Sequence, residues 1–354
     1  MNPSSFKPTT DLHYHIDAMS PRAIHVVSQN FGLPWTGKSL PEIMELALFK
    51  GNGGWDKWYE VHTRARQAVF CYPDVFGEVA RQAIVDAELE GLSTRVMRFS
   101  LSMPDFCFQA MYGYKPNLAD NKDKKTFLSI LKKIIENLGG GIAGVHSVVK
   151  TPLVFSISCQ DKFLPLLDDL VPLVLDYKNY IAGIDLTNEQ THRLVTDYGD
   201  FVAKIRQGGI SALTIHIAEK EPEDMLGQYN AGQRIMAALS LSPSSLGHAI
   251  YAVKYPSAIK AMAKSGVVVE LCPNSNLSSD YVRRGLNGNL LNYPLFRFQR
   301  AGIVCTINSD TPATSGTTLL DEFLLIQGIF GLSQPELFLL DKVAQKAAKS
   351  IYGV

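Results

Sequence analysis

The sequence has no cysteine pair spaced as C-x-x-C. Its five cysteines, Cys71, Cys107, Cys159, Cys272 and Cys305, are odd in number and widely separated. In a chain of 354 residues that argues against a disulfide framework and against a thiolate zinc knuckle. Neither sign of charge is in excess: 34 basic residues balance 34 acidic ones, so no global field draws the chain to nucleic acid or to an anionic bilayer. No apolar run approaches the roughly 18 residues of a membrane-spanning helix, and the opening MNPSSFKPTT lacks the apolar stretch of a signal peptide. Low-complexity tracts and repeats are also missing. These absences point to a soluble protein of a reducing cytoplasm that binds neither nucleic acid nor membrane. They leave the oligomeric state open.

What is present is apolar material for a large core, 46% of the residues, distributed as short runs that end in polar residues and alternate with longer helical stretches. Eight strand-like runs stand out: 11–16, 94–101, 153–159, 180–186, 212–217, 245–249, 267–271 and 303–307. Several are β-branched and nearly continuous, as parallel strands buried on both faces must be. Between them, residues 127–138 place Ile130, Leu131, Ile134, Ile135 and Leu138 on one helical stripe, and residues 78–90 and 258–264 read similarly. Strand and helix alternating through eight strands predicts an α/β fold, a (β/α)8 TIM barrel occupying 1–354 as one domain, with a doubly wound sheet as runner-up. Residues 31–72, carrying Trp35, Trp55 and Trp58, are too long for an ordinary connection and read as extra helices over the barrel mouth. Gly51-Asn52-Gly53-Gly54 reads as a turn within them. Residues 104–125 read as a second long, polar-rich connection.

Four sequence signals carry chemistry. His13-Tyr14-His15 puts two imidazoles on one side of a strand, a geometry suited to a divalent cation. His216 closes the fifth run, with Glu219 just beyond it. His248 ends the sixth run, and Asp310 follows the eighth, ahead of a proline. Each alone has a bland explanation: a chance H-x-H pair, a core histidine, a capping histidine, a turn aspartate. Together they sit where the strands of a parallel barrel open on a single face, the face that holds the active sites of such barrels. Three histidines and an aspartate form an N3O set suited to one Zn2+ per chain with room for a water, leaving His248 and Glu219 for proton handling.

The segments DLHYHID, TIHIAE, SLGHAI, ELCPNSN and INSDTPATSGTTLLDEF, in that order, resemble the motifs of the adenosine deaminase family of the amidohydrolase superfamily. The resemblance implies that His13, His15, His216 and Asp310 bind zinc, that Glu219 donates a proton, and that His248 orients the metal-bound water. It implies that Asp17 meets a ribose hydroxyl if the substrate has one. The activity implied is hydrolytic deamination of an adenine nucleoside or related aminopurine, a metal-bound hydroxide attacking the amine-bearing ring carbon and ammonia leaving. The alternatives are another amidohydrolase reaction at the same metal, such as opening a cyclic amide, and a catalytically silent binding module.

Three positions depart from the family pattern. Thr311 stands where a second aspartate is usual, Asn188 (beside Thr187) where a glycine faces the purine, and Val96 where the second strand has a glutamate. With His15, Asp17, Thr187, Asn188 and Thr311 as the substrate-facing set, the altered base-reading groups suggest a substrate other than plain adenosine. His25, His62, His146 and His192 join no second constellation, and Cys272 has no evident base to activate it.

Overall fold

A computed structural model describes residues 6–51, 54–221, 228–278, 286 and 289–354. Eight strands follow one another in spatial order: β1 (Thr10–His15), β2 (Thr94–Ser100), β3 (Leu153–Ser158), β4 (Ile181–Thr187), β5 (Ala212–Ile217), β6 (Ser245–His248), β7 (Val268–Leu271) and β8 (Val304–Ile307). All seven successive pairings are parallel. The eighth seam closes through a parallel bridge between Tyr14 and Asp310, where Asp310 N donates to His13 O at 2.7 Å and His15 N to Asp310 O at 2.9 Å. Helices surround the strands, giving the expected (β/α)8 barrel, and each expected strand lies within a residue or two of its observed position.

The helices follow their sequence signals. Helix Asn121–Ala143 is longer than its apolar stripe because Asp120 caps it, accepting from the backbone N–H of Lys122 and Asp123. Helix Gln334–Tyr352 brings Ala347 and Ala348 against Leu12, Val96 and Val154 in a small apolar cluster separate from the main core. The excursion at 31–72 contains helices Leu40–Ala47 and Gly54–Val69, and the second lies over the mouth. The turn expected at 51–54 includes residues 52 and 53, which lie outside the described residues. The connection expected at 104–125 is instead largely helical at its start. Met103–Tyr112 forms a helix that ends at Gly113, with φ +79°. Pro104 occupies the first turn, where its missing N–H costs no hydrogen bond.

One local irregularity matters for the site. In β1 the register slips between Asp11, opposite Arg95, and Tyr14, opposite Met97, so two β1 residues face one on β2. This β-bulge lets Leu12 join the apolar cluster beneath while His13 and His15 both point toward His216 and Asp310. Tyr14 faces the other way, its ring 4.3 Å from the Arg95 guanidinium.

Candidate active site

The strand ends deliver their side chains to one point. His13 Nε2 lies 3.2 Å from His15 Nε2, and His15 Nε2 lies 3.1 Å from His216 Nε2. Asp310 Oδ1 is 3.5 Å from His15 Nε2 and 3.7 Å from His13 Nε2. His13, His248 and Asp310 also converge as a second potential ligand group. Four donors around a tetrahedral zinc with Zn–N of about 2.0–2.1 Å sit about 3.3 Å from one another, close to the separations seen here.

The backbone takes the left-handed conformation where the chain turns inward: φ is +52° at Ala218, +64° at His248, +52° at Ala249 and +59° at Asp310. Non-glycine residues hold such angles at a cost of about 1–3 kcal/mol each. Here the surrounding ladder fixes them, with Ala249 N donating to Ile217 O at 3.0 Å beside the Asp310 bonds already described. Gly247 matters for a different reason. A Cβ there would stand 3.0 Å from His13 Cε1 and 3.4 Å from His216 Cγ, so glycine lets the two rings pack over β6 without being pushed aside.

The remaining ring nitrogens decide what each histidine can do. His13 Nδ1 faces Glu270 Oε2 at 2.8 Å, and His216 Nδ1 faces Asp185 Oδ1 at 2.9 Å. A carboxylate at Nδ1 takes the proton there and leaves the Nε2 lone pair directed at the common centre. His248 is the opposite case. Its Nδ1 accepts from Asn276 Nδ2 at 2.9 Å, and Asn276 is fixed by the Tyr293 hydroxyl donating to its Oδ1 at 3.0 Å. The proton of neutral His248 therefore sits on Nε2, which makes it a donor. Burial, above the influence of its charged neighbours, holds its pKa down to about 4, so it stays neutral. Burial, then Arg98 and the neighbouring imidazoles, also holds His13 and His15 well below the usual range. His216 is raised: burial opposes its charge, but Asp185 outweighs it.

Above this cluster opens a cleft of about 850 Å³ counted to its mouth. Glu219 lines it, and burial, with Glu189 adding to it and His216 opposing, raises its carboxyl to about 7. A carboxyl at that value carries a proton for half the molecules at neutrality and can act as an acid. Thr187, Asn188 and Thr311 line the cleft as expected, together with Trp58, His62 and Arg66 from the helix over the mouth. Asn188 has φ +55°, the backbone a glycine would adopt freely and one that asparagine tolerates better than most residues. Its amide nitrogen donates to Ser158 Oγ at 3.1 Å, so the side chain is tied to β3. Among the described residues the buried Thr311 hydroxyl has no hydrogen-bond partner. Asp17 is paired with Arg66 and stands 3.7 Å from His15 Nδ1.

Sequence reasoning gave no role to Arg98, Asp185, Glu270, Asn276 or Arg66. The signal for three of them was a charge embedded in an apolar strand: Phe99 and Met97 flank Arg98, Ile184 and Leu186 flank Asp185, Val269 and Leu271 flank Glu270. His62 packs as expected, stacked on Trp58 with ring centroids 4.9 Å apart, but it also faces the cleft. His146 and His192 are exposed and His25 is half-buried, away from the site. Cys272 is buried, and burial pushes its thiol far above the ordinary range, so it is no nucleophile.

A parallel barrel with imidazoles and a carboxylate gathered at its carboxyl ends is an arrangement suited to a metal-dependent hydrolase. The chain matches the adenosine deaminase family over residues 8–351 and belongs to that family, the hydrolytic C–N deaminases. It is 24% identical over 339 residues to an adenosine deaminase of Shewanella denitrificans, covering 95% of this chain and 92% of that one. Among solved structures it resembles an adenine deaminase from Arthrobacter aurescens (TM-score 0.73, 17% identity, 97% and 94% of the two chains). It also resembles an amidohydrolase from Burkholderia ambifaria with bound zinc (TM-score 0.65, 16% identity, 97% and 85%). Among the described residues no helix is long and apolar enough to cross a membrane.

Proposed function

We propose that the chain is a zinc-dependent deaminase that hydrolyses the exocyclic amine of an adenine nucleoside or a related aminopurine. The observation that carries this reading is the convergence of His13, His15, His216 and Asp310 at 3.1–3.7 Å, beside a carboxyl raised to about 7. His13, His15, His216 and Asp310 hold the cation. When bound, it supplies the Lewis acidity that makes water nucleophilic near neutrality. Protonated Glu219 gives its proton to the ring nitrogen next to the attacked carbon, relieving the negative charge that builds there as the new C–O bond forms. As the C–N bond then breaks, the amine takes up the proton of the newly attached hydroxyl and leaves as ammonia, and the oxygen remains as the ring carbonyl. His248, neutral with its proton on Nε2, donates a hydrogen bond to the attacking oxygen and holds it in place.

Thr187, Asn188 and Thr311 form the base-facing wall, and the unpartnered Thr311 hydroxyl offers the purine edge a neutral contact. Asp17, already paired with Arg66, reaches a sugar only if that pair opens. The exact substrate follows from a screen of ammonia release over adenosine, its deoxy, methylthio, N6-methyl and phosphorylated relatives, adenine, guanine and pterins, with metal content measured on the same preparation. Zinc near one per chain and ammonia from an aminopurine support the reading. Turnover of a cyclic amide without ammonia would replace it with the other amidohydrolase reaction, and a metal-free protein inert on every compound would indicate a binding module. We also propose a cytoplasmic location, in keeping with five free, buried cysteines.

A further inference from the structure

We infer that Arg98 is a positioning residue that sets two of the metal-facing histidines at once, an inference that rests on reading the site as a metal centre. Arg98 is completely buried on β2. One amino group of its guanidinium donates to Glu270 Oε2 at 2.6 Å, and its Nε lies 3.3 Å from Asp185 Oδ2. The other amino group donates to Leu12 O, immediately before His13. Each of these carboxylates has a histidine as its other partner. Glu270 accepts from His13 Nδ1 through the same oxygen that Arg98 holds, and Asp185 presents Oδ1 to His216 Nδ1 while Ser156 Oγ donates to its Oδ2 at 3.0 Å. One cation on β2 thus links β7 to β1 and β4 to β5.

Two carboxylates with no exposure need a cation between them to remain in place as paired acceptors. Only a planar fork spans both: lysine offers one point charge on a flexible stem and cannot hold two carboxylates in fixed directions. The geometry therefore makes Arg98 responsible for keeping Glu270 and Asp185 aimed at the two Nδ1 atoms, and through them for keeping both Nε2 lone pairs aimed at the cation. Neither carboxylate does this alone, because each touches a single ring.

The test compares the full-length wild type with Arg98→Lys, Glu270→Gln, Asp185→Asn, the Glu270→Gln/Asp185→Asn double variant and the triple variant. Two quantities are read: zinc affinity of the folded protein, and the downfield Nδ1–H proton resonances of His13 and His216 in metal-free protein. Arg98→Lys is expected to weaken zinc binding by about 10–100-fold and to shift or broaden both imidazole signals. Glu270→Gln alters only the His13 signal and Asp185→Asn only that of His216. Adding Arg98→Lys to the double variant costs no further zinc affinity, because Arg98 acts through those two groups. A lower melting temperature with unchanged zinc affinity and intact signals in Arg98→Lys would reduce the residue to a packing role and overturn the inference. An additive loss in the triple variant would overturn it as well. A wild type that binds no divalent cation sinks the metal reading and this inference together, whereas tight wild-type binding matched by Arg98→Lys sinks this inference alone.

Discussion

The two walls of the cleft are built on different principles. On the metal side, His13 and His216 each have their second nitrogen on a carboxylate, and His248 has its own on Asn276. On the opposite wall, among the described residues, the Thr311 hydroxyl and His62 Nδ1 are buried without hydrogen-bond partners. Three of the four imidazoles of the first wall are thus held from behind, whereas His15 Nδ1 lies 3.7 Å from Asp17 Oδ1 and, among the described residues, Glu270 Oε1 and Arg98 Nε lack a hydrogen bond. The second leaves these two polar atoms without a partner among the described residues. On the function proposed above, the contrast has a reason: a metal centre tolerates little movement and gains from outer partners behind its ligands, while recognition gains from polar groups that the correct substrate pairs.

The sharpest way to break this contrast is to remove the metal wall. Chelation, or His216→Ala, is expected to bring ammonia release to background, with zinc restoring the chelated enzyme but not the variant. Full activity in metal-free protein would refute the division of labour. Next is Glu219→Gln, which keeps zinc but lowers turnover by about 10²–10⁴. With Glu219 as the proposed acid and its carboxyl raised to about 7, wild-type turnover should decline as pH rises through that value. A rate still climbing well above neutrality would assign the proton to another group.

On the substrate wall, Thr311→Val should lower kcat/KM by about tenfold for the best aminopurine, with zinc content unchanged. An unaltered ranking of purines would show that Thr311 reads nothing. The smallest effect concerns the support beneath. Glu322, on helix Leu319–Phe330, is buried, accepts from Asn274 N at 2.8 Å and Thr317 Oγ1 at 2.9 Å, and is raised by burial to about 8. The folded protein keeps this proton where the unfolded chain has lost it. Its contribution to stability is therefore complete below the ordinary carboxyl value and declines as pH rises toward about 8. Glu322→Gln, which can still accept from Asn274, should flatten that decline in thermal unfolding, and an identical profile would remove Glu322 from the account.

How much was legible in advance divides along the same line. H-x-H on β1, histidines at the ends of β5 and β6 and an aspartate after β8 are local patterns, and strand periodicity plus the geometry of a parallel barrel suffices to bring them together. The glycine-like backbone of Asn188 and the bulge that re-aims β1 left no such trace, because both depend on pairing with neighbouring strands. The helix Met103–Tyr112 lay inside a stretch read as a connection for its polar composition, and its Pro104 is compatible with a helix because it sits in the first turn.

By itself, then, the order of residues determined the barrel and its metal-facing side chains, since hydrophobic alternation fixes the strands and a strand end fixes where its last residue points. The tertiary structure alone decided which proton each imidazole carries, that Arg98 ties two carboxylates together, and that Arg66 occupies Asp17. Those are contacts between segments tens to hundreds of positions apart, and no periodicity along the chain encodes which distant partner a buried charge will meet.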